Sequence, residues 1–233
     1  MKKRIAVFTG AGVSADSGLA TFRDSDGLWA NYRIEDVCTP EALARDRNKV
    51  IDFYNMRRRE MYAAQPNDGH RAIALLEHDF EVDVVTQNVD NLHERAGSSR
   101  VLHLHGDLSH LCSSRDKEAC VFRLQGTEQS YDMMAPDGSP ARPYIVFFGE
   151  SVPMFDHAVR IVQQADILIV AGTSLSVYPA ASLVRYAAPE VPVFLVDPGS
   201  PDISGVRNLA EHIPMRGAEG LPRLAEILRQ KYL

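Results

Sequence analysis

The sequence predicts an α/β fold: a doubly wound parallel sheet of Rossmann-like type with a second, smaller inserted module. Three observations carry that prediction. Short apolar runs recur at Ile5–Thr9, Val82–Thr86, Val101–Leu104, Ile145–Phe148, Ile167–Ala171 and Val193–Val196, and they are mostly continuous, as strands covered on both faces should be. Helical patterns separate most of them, an alternation that implies parallel strands wrapped by helices on both sides. The first run ends in Gly10-Ala11-Gly12, a glycine turn at the point where a helix would open.

The 233 residues, 45% of them hydrophobic, suffice for one sizeable core with a small appendage, so a single domain over 1–233 is expected. Its Rossmann-like core takes approximately 1–19, 65–106 and 143–233. Two stretches break the rhythm and form the small module. Residues 20–64 hold a polar loop followed by helical segments, and 107–142 are rich in Ser, Asp, Gly and Pro with little apolar periodicity.

A net charge of -6 argues against nucleic acid as the main partner, which would need a concentrated basic face. No run approaches the roughly 18 apolar residues of a membrane span. The opening MKKRIAVFTGAG reads as a first strand rather than a signal segment. Three cysteines, Cys38, Cys112 and Cys120, make no disulfide framework, and a cytoplasmic protein is expected.

Taken in order, Gly10-Ala11-Gly12-Val13-Ser14-Ala15 sits where a dinucleotide-binding turn belongs. Glycine lets the backbone approach a pyrophosphate, and free N–H groups at a helix start favour its oxygens. The same residues also suit a tight strand-to-helix turn without a ligand. An ordinary dehydrogenase would carry an acidic ribose contact about 20 residues on, at the end of a second strand. Here that region is Phe22-Arg23-Asp24-Ser25-Asp26-Gly27-Leu28-Trp29, a polar loop suited to closing over the nicotinamide end of a cofactor and excluding water. Trp29 reads as ordinary loop packing. Further on, Asp68 is expected to cap a helix bearing Ala72, Leu75 and Leu76, and Pro222 to sit near the start of a final helix.

The central polar cluster, Thr86-Gln87-Asn88-Val89-Asp90-Asn91-Leu92-His93, follows a buried strand and should emerge at the carboxyl edge of the sheet. Polar groups there are expensive to bury unless they bind something. The next strand delivers His105-Gly106 to the same edge. Strand alternation puts His103 and His105 on one face, and the glycine after His105 places it at the strand's end. An imidazole near its usual pKa of about 6.5 accepts a proton at neutral pH, so His105 is the candidate general base. His93, His103 and His110 read as structural or surface residues. Tyr54 and Arg57, at i and i+3 of an expected helix, point the same way and suit a carboxylate, because a guanidinium offers two parallel donors and a phenol a third. Arg57 also opens the run Arg57-Arg58-Arg59, which suits a solvated basic face equally well.

These motifs, in this order, resemble the sirtuin family over nearly the whole chain. The resemblance is carried by Gly10-Ala11-Gly12-Val13-Ser14, Ser17-Gly18-Leu19, Thr21-Phe22-Arg23, Thr86-Gln87-Asn88-Val89-Asp90 with Leu92-His93 and Ala96-Gly97, and His105-Gly106. Later matches are Phe148-Gly149-Glu150, Gly172-Thr173-Ser174 and Val177-Tyr178-Pro179-Ala180-Ala181. It implies an enzyme that consumes NAD as co-substrate to remove acyl groups from lysines of proteins or peptides, releasing nicotinamide and O-acyl-ADP-ribose. His105 then matches the base that activates a ribose hydroxyl. Asn88 and Asp90 match residues orienting the ribose and bound water, and Gln87 a ribose contact. Phe22 matches an aromatic shielding the intermediate, and Arg23 a cofactor-loop contact. Gly10, Ala11, Gly12 and Ser14, with Gly172, Thr173 and Ser174, match the phosphate and ribose sites. Phe147, Phe148 and Gly149 match the edge that pairs with the substrate peptide as an added strand.

Tyr54 and Arg57 resemble the Tyr-x-x-Arg signature of the bacterial class III subgroup, which removes succinyl, malonyl and glutaryl groups, and Thr21 also resembles that subgroup. Deacetylation should remain possible. Burying Arg57 without an acidic substrate costs desolvation, so a wet or partly open pocket is expected.

Two departures stand out. Sirtuins usually hold a structural zinc with two Cys-x-x-Cys pairs, whereas only Cys112 and Cys120 stand here, with Arg115 in the place of the second ligand. His110 and Asp116 are the remaining possible donors, and structural zinc is not expected. Asp197 replaces a common asparagine contact to the adenosine and can still accept hydrogen bonds from ribose hydroxyls. Gly217-Ala218 resembles a late backbone contact to adenine. Two other readings compete: a nicotinamide-dependent oxidoreductase, and a module that senses NAD or ADP-ribose without turnover. The missing acidic ribose residue weighs against the first, and the base His105 against the second.

Overall fold

The computed structural model describes residues 2–21, 31–204, 206 and 208–233. In chain order its strands are β1 (Arg4–Thr9), β2 (Glu81–Thr86), β3 (Val101–His103), β4 (Gly106–Ser113), β5 (Val121–Arg123), β6 (Ala141–Ile145), β7 (Ile167–Ala171), β8 (Val193–Val196) and β9 (Leu209–Ile213). The helices are α1 (Gly12–Ala15), α2 (Ile34–Val37), α3 (Pro40–Arg45), α4 (Arg47–Ala63), α5 (Asp68–Leu76), α6 (Leu92–Ala96), α7 (Phe155–Gln163) and α8 (Gly217–Tyr232), with a 3-10 turn at Ala180–Tyr186.

Six strands form an all-parallel sheet ordered β3-β2-β1-β7-β8-β9. The chain winds outward from β1 to β3, returns, and winds outward again from β7, so the order reverses between β1 and β7. A crevice opens at such a switch point, at the carboxyl ends of the strands. The register makes those ends level: Thr9 pairs with Thr86 and Ala171, Thr86 with His103, and Ala171 with Val196. Residues just past these positions therefore share one edge.

Both sheet faces are buried, which is why the strands read as continuous apolar runs. Ile5, Val7, Val84, Ile169 and Phe194 pack with Ile73 and Leu76 of α5 and Leu224 and Leu228 of α8. Ala6, Phe8, Val85, Leu168 and Leu195 face the other way, against Ala158, Val162 and Leu183. A smaller antiparallel sheet, β5-β4-β6, has its own core of Leu111, Leu124, Ala135 and Ala141. Val50, Phe53, Tyr54 and Met61 of α4 pack on Leu108, Ile145 and Phe147, tying the helical insertion to the start and end of that sheet.

Four elements differ from expectation. The run Ile145–Phe148 is not a strand of the parallel sheet. Its first residue ends β6, and the next amides go elsewhere: Val146 to the His105 carbonyl, Phe147 to the Glu150 carboxylate and Phe148 to the Cys38 carbonyl. Asn67, not Asp68, caps α5, because its side-chain oxygen accepts from Gly69 and His70 while its amide donates to the Val13 carbonyl at 2.8 Å. Helix α8 starts at Gly217, which leaves Pro222 inside it. The edge strand β9 is unmarked by any apolar run, because its Leu209 and Ala210 are exposed.

Candidate active site

The strand tips build a crevice of about 590 Å³ in which Gly10, Gly12, Gly172, Asn88, His105, Tyr54, Arg57 and Asp197 all take part in the wall. That volume suits a small-molecule or cofactor site. The turns after β1 and β7 lie back to back: the Gly12 amide donates to the Gly172 carbonyl at 2.9 Å, and the Gly10 amide to the Ala171 carbonyl at 3.1 Å. A Cβ on Gly10 would stand 2.7 Å from the Gly172 oxygen, and Gly172 itself, at φ +60, would drive one into the Val13 nitrogen. Only glycine allows the two turns to close on each other this tightly.

Asn88 and Asp90 follow β2 and are both buried. Ser14 joins them, accepting from the Asn88 amide at 3.1 Å and donating to Asp90 at 3.0 Å. The other Asp90 oxygen accepts from the Leu92 amide. Burial pushes the Asp90 carboxyl above its usual range, against these hydrogen bonds. Ser14 and Asp90 line a small recess that shares Ala11, Arg57, Asn88, Val89 and Leu108 with the crevice. Ser14 is thus hydrogen-bonded to both Asn88 and Asp90, residues 74 and 76 positions away, a link no local pattern in the sequence shows.

His105 and His103 hold successive carbonyls of the same loop. His105 Nδ1 meets the Gln87 oxygen at 3.2 Å, and His103 Nδ1 meets the Asn88 oxygen at 2.8 Å. Their charges differ. Burial lowers the pKa of His105, so a neutral ring donating through Nδ1 leaves the Nε2 lone pair available. Burial also works to lower His103, but the Glu94 carboxylate at 2.7 Å overrides it and raises the imidazole to about 9. The next residue, Gly106, has φ +85, where a Cβ would collide with the Tyr144 oxygen, and this turn ends the strand direction of β3.

The far wall carries the acyl and peptide candidates. Tyr54 and Arg57 project from α4 into the crevice, with Tyr54 stacked on Phe147 at a centroid distance of 5.8 Å. The Tyr54 hydroxyl donates to the Cys38 sulfur at 3.2 Å. Arg57 Nη1 meets Glu60 at 2.5 Å, so the expected cost of burying this guanidinium is offset within α4. Phe147, Phe148 and Gly149 line the rim. Glu150 fixes that rim by accepting two hydrogen bonds from Arg142, at 2.7 and 3.2 Å, and one from the Phe147 amide at 2.8 Å. Arg57 and Glu60 pair at i,i+3 within one helix, whereas no local pattern pairs Tyr54 with Cys38 or Arg142 with Glu150.

Residues 10–179 match the Sir2 family. This chain belongs to it. A curated Sir2-type relative from Bacteroides thetaiotaomicron, named NAD-dependent protein deacylase, is 48% identical over 231 residues, covering 97% of this chain and 98% of its own. The solved structure of a mutant Sir2 homologue in complex with ADP ribose superimposes with a TM-score of 0.90 at 36% identity, covering 98% of this chain and 93% of that one. A Sir2 mutant with a deacetylated p53 peptide and 3′-O-acetyl ADP ribose aligns at 28% identity and a TM-score of 0.78, covering 99% and 94%.

Among the remaining Sir2-type candidates, Gln87 donates to the Thr173 hydroxyl at 3.0 Å, bridging the two strand-tip sites. Asp197 lines the crevice and accepts from the Gly199 amide, and Ser174 pairs with Ser176. The Ala218 amide is engaged by Asp16 at 3.3 Å, and Arg216 and Gly217 form the crevice wall beside it. Phe22, Arg23 and Trp29 lie outside the described residues.

The donors of the small module do not fit a four-ligand zinc site. Cys112 is buried toward the Pro143 carbonyl, with burial raising its thiol to about 11. His110 pairs with Asp107, Asp116 caps the Glu118 and Ala119 amides, and the Arg115 amide donates to Ser113. Among the described residues no group of three or more His, Cys, Asp or Glu is placed to hold a metal. Nor is any described helix long and apolar enough to cross a membrane.

Proposed function

We propose that this protein is an NAD-dependent protein-lysine deacylase that removes succinyl and malonyl groups as well as acetyl groups, releasing nicotinamide and O-acyl-ADP-ribose. One observation carries the acyl assignment: a buried guanidinium, Arg57, stands beside Tyr54 in the same crevice as His105 and the glycine cradle. The name of the Bacteroides relative and the ligands of the two solved Sir2 structures support the NAD and peptide parts of the reading.

The paired turns of Gly10, Ala11 and Gly12 and of Gly172, Thr173 and Ser174 line the crevice side by side, and by the resemblance of their motifs they hold the dinucleotide. When bound, NAD supplies a ribose carbon whose leaving group is nicotinamide. Asn88, Asp90 and Gln87 orient that ribose and its water, with Ser14 holding Asn88 and Asp90 in register. His105 takes the proton of a ribose hydroxyl at Nε2 while the Gln87 carbonyl fixes its tautomer. Asp197 and Ala218 contact the adenosine end. Phe147, Phe148 and Gly149 take the substrate backbone as an added strand. Phe22 and Arg23, which lie outside the described residues, are assigned to the nicotinamide side only by the resemblance of Thr21-Phe22-Arg23 to the family's cofactor loop. Tyr54 and Arg57 receive the acyl carboxylate, a pairing in which a guanidinium gives two aligned hydrogen bonds. We read the small module as held by packing rather than metal, and the protein as cytoplasmic.

The test incubates the protein with NAD and one peptide carrying succinyl-, malonyl- or acetyl-lysine, following nicotinamide and free lysine together. Equal release of both supports the assignment. A folded protein that releases neither is a sensor, and one that yields reduced cofactor without nicotinamide is an oxidoreductase.

A further inference from the structure

Helix α4 places a carboxylate against the residue that would read the acyl group. Arg57 and Glu60 are one turn apart, and their contact runs from the buried interior to the surface: the Arg57 side chain is 7% exposed, that of Glu60 42%, and Nη1 meets Oε2 at 2.5 Å. Glu60 thus approaches the guanidinium from the solvent side, while Arg57 itself lines the crevice. On the interior side Arg57 also lies in the field of Asp90. An acyl carboxylate entering the crevice is therefore a further anion around one cation that already has a close acidic partner. The Tyr54 hydroxyl, turned to Cys38, adds to this arrangement, because both members of the pair have resident partners within the protein.

We propose that Glu60 is a specificity-determining residue, a built-in competitor for the acyl carboxylate that lowers the preference for dicarboxylic over neutral acyl groups. The inference rests on the reading of Arg57 as the acyl-carboxylate partner. Its physical basis is twofold. Glu60 keeps the buried guanidinium compensated when the acyl group is neutral, so an acetyl-lysine does not leave a bare charge in the pocket. The same carboxylate repels a succinyl or malonyl terminus that must share Arg57. Because Glu60 is half in solvent, the repulsion is partial and weakens with salt.

The experiment compares kcat/KM for succinyl- and acetyl-lysine versions of one peptide, in the wild type and in Glu60→Gln, which keeps shape and removes charge. The succinyl-to-acetyl ratio should rise about three- to fivefold, the size expected for one partly exposed charge interaction. The gain should appear in the succinyl KM rather than in kcat, and shrink at high salt. Glu60→Ala, made in parallel, should move the ratio in the same direction, with circular dichroism and Tm reporting that α4 is intact. A ratio that stays constant or falls in both variants overturns the proposal, since Glu60 would then only hold Arg57 in place. A wild type that turns over the acetyl peptide but never the succinyl one overturns the Arg57 reading itself, and is seen before any variant is made.

Discussion

His70 and His93 pack edge to face behind the glycine turn, with ring centroids 4.8 Å apart. His93 Nε2 meets the Thr9 hydroxyl at 3.1 Å, and His70 Nδ1 accepts from the Asn67 amide at 3.3 Å. Burial holds both rings neutral, His70 at about 4 and His93 well below its usual value.

Those depressed values make stability depend on pH with a definite sign. In the unfolded chain each ring takes up a proton near 6.5, whereas the folded chain refuses it until near 4 for His70. Their contribution is therefore complete above pH 6.5 and lost as pH falls toward 4, on the order of 3 kcal/mol for His70. His103, raised to about 9, acts oppositely: its contribution is complete below 6.5 and lost as pH rises through 9. Urea unfolding at pH 5, 7 and 9 should find the highest midpoint at 7. A midpoint that climbs steadily from 7 to 5 would show that these rings are not buried neutral.

His105 sets a different profile, that of turnover. As the proposed base it must be unprotonated, and burial lowers its pKa. The acid limb of kcat/KM should therefore lie below 6.5. His105→Ala should reduce kcat about 10²- to 10⁴-fold, the usual contribution of a general base. An acid limb above 7 would point to another group as the base.

How much of this was legible depended on range. The parallel sheet was readable because burial on both faces writes itself as continuous apolar runs, and the crevice because Gly10-Ala11-Gly12, Asn88, Asp90 and His105 each follow such a run. Edge strand β9 was not, since its exposed Leu209 and Ala210 carry no pattern. The apolar character of Ile145–Phe148 serves the packing of Phe147 against Tyr54 and α4, not a place in the large sheet. The contacts that tune the site, Ser14 with Asp90 and Tyr54 with Cys38, join residues 76 and 16 positions apart, and only the fold brings them together.

The peptide rim offers a test of one such contact. Arg142 is 8% exposed, its guanidinium lies 4.0 Å from the Phe147 ring centroid, and Glu150 is its carboxylate partner, itself also near Lys117 at 3.5 Å. Removing one member of a buried pair strands the other, at a cost of about 3 kcal/mol or more. Glu150→Ala should lower Tm by several degrees and, where folded, raise the peptide KM, because the Phe147 amide loses its acceptor. An unchanged KM would mean that the rim keeps its shape without Glu150.

If Tyr54 and Arg57 receive the acyl carboxylate as proposed, they separate substrates rather than scaling all of them. An acetyl group has no carboxylate for Arg57 to meet, so a variant that removes the guanidinium should leave the two substrate classes unequal. Arg57→Met keeps the length and apolar stem of the side chain while deleting its charge. Desuccinylation should fall at least tenfold, the scale of a charge-assisted hydrogen bond of about 1.5–3 kcal/mol, with deacetylation reduced much less. The loss should lie mainly in KM, because the carboxylate is bound equally in the ground and transition states. If both reactions slowed by the same factor, Arg57 would be supporting the crevice wall and the site would have no carboxylate clamp.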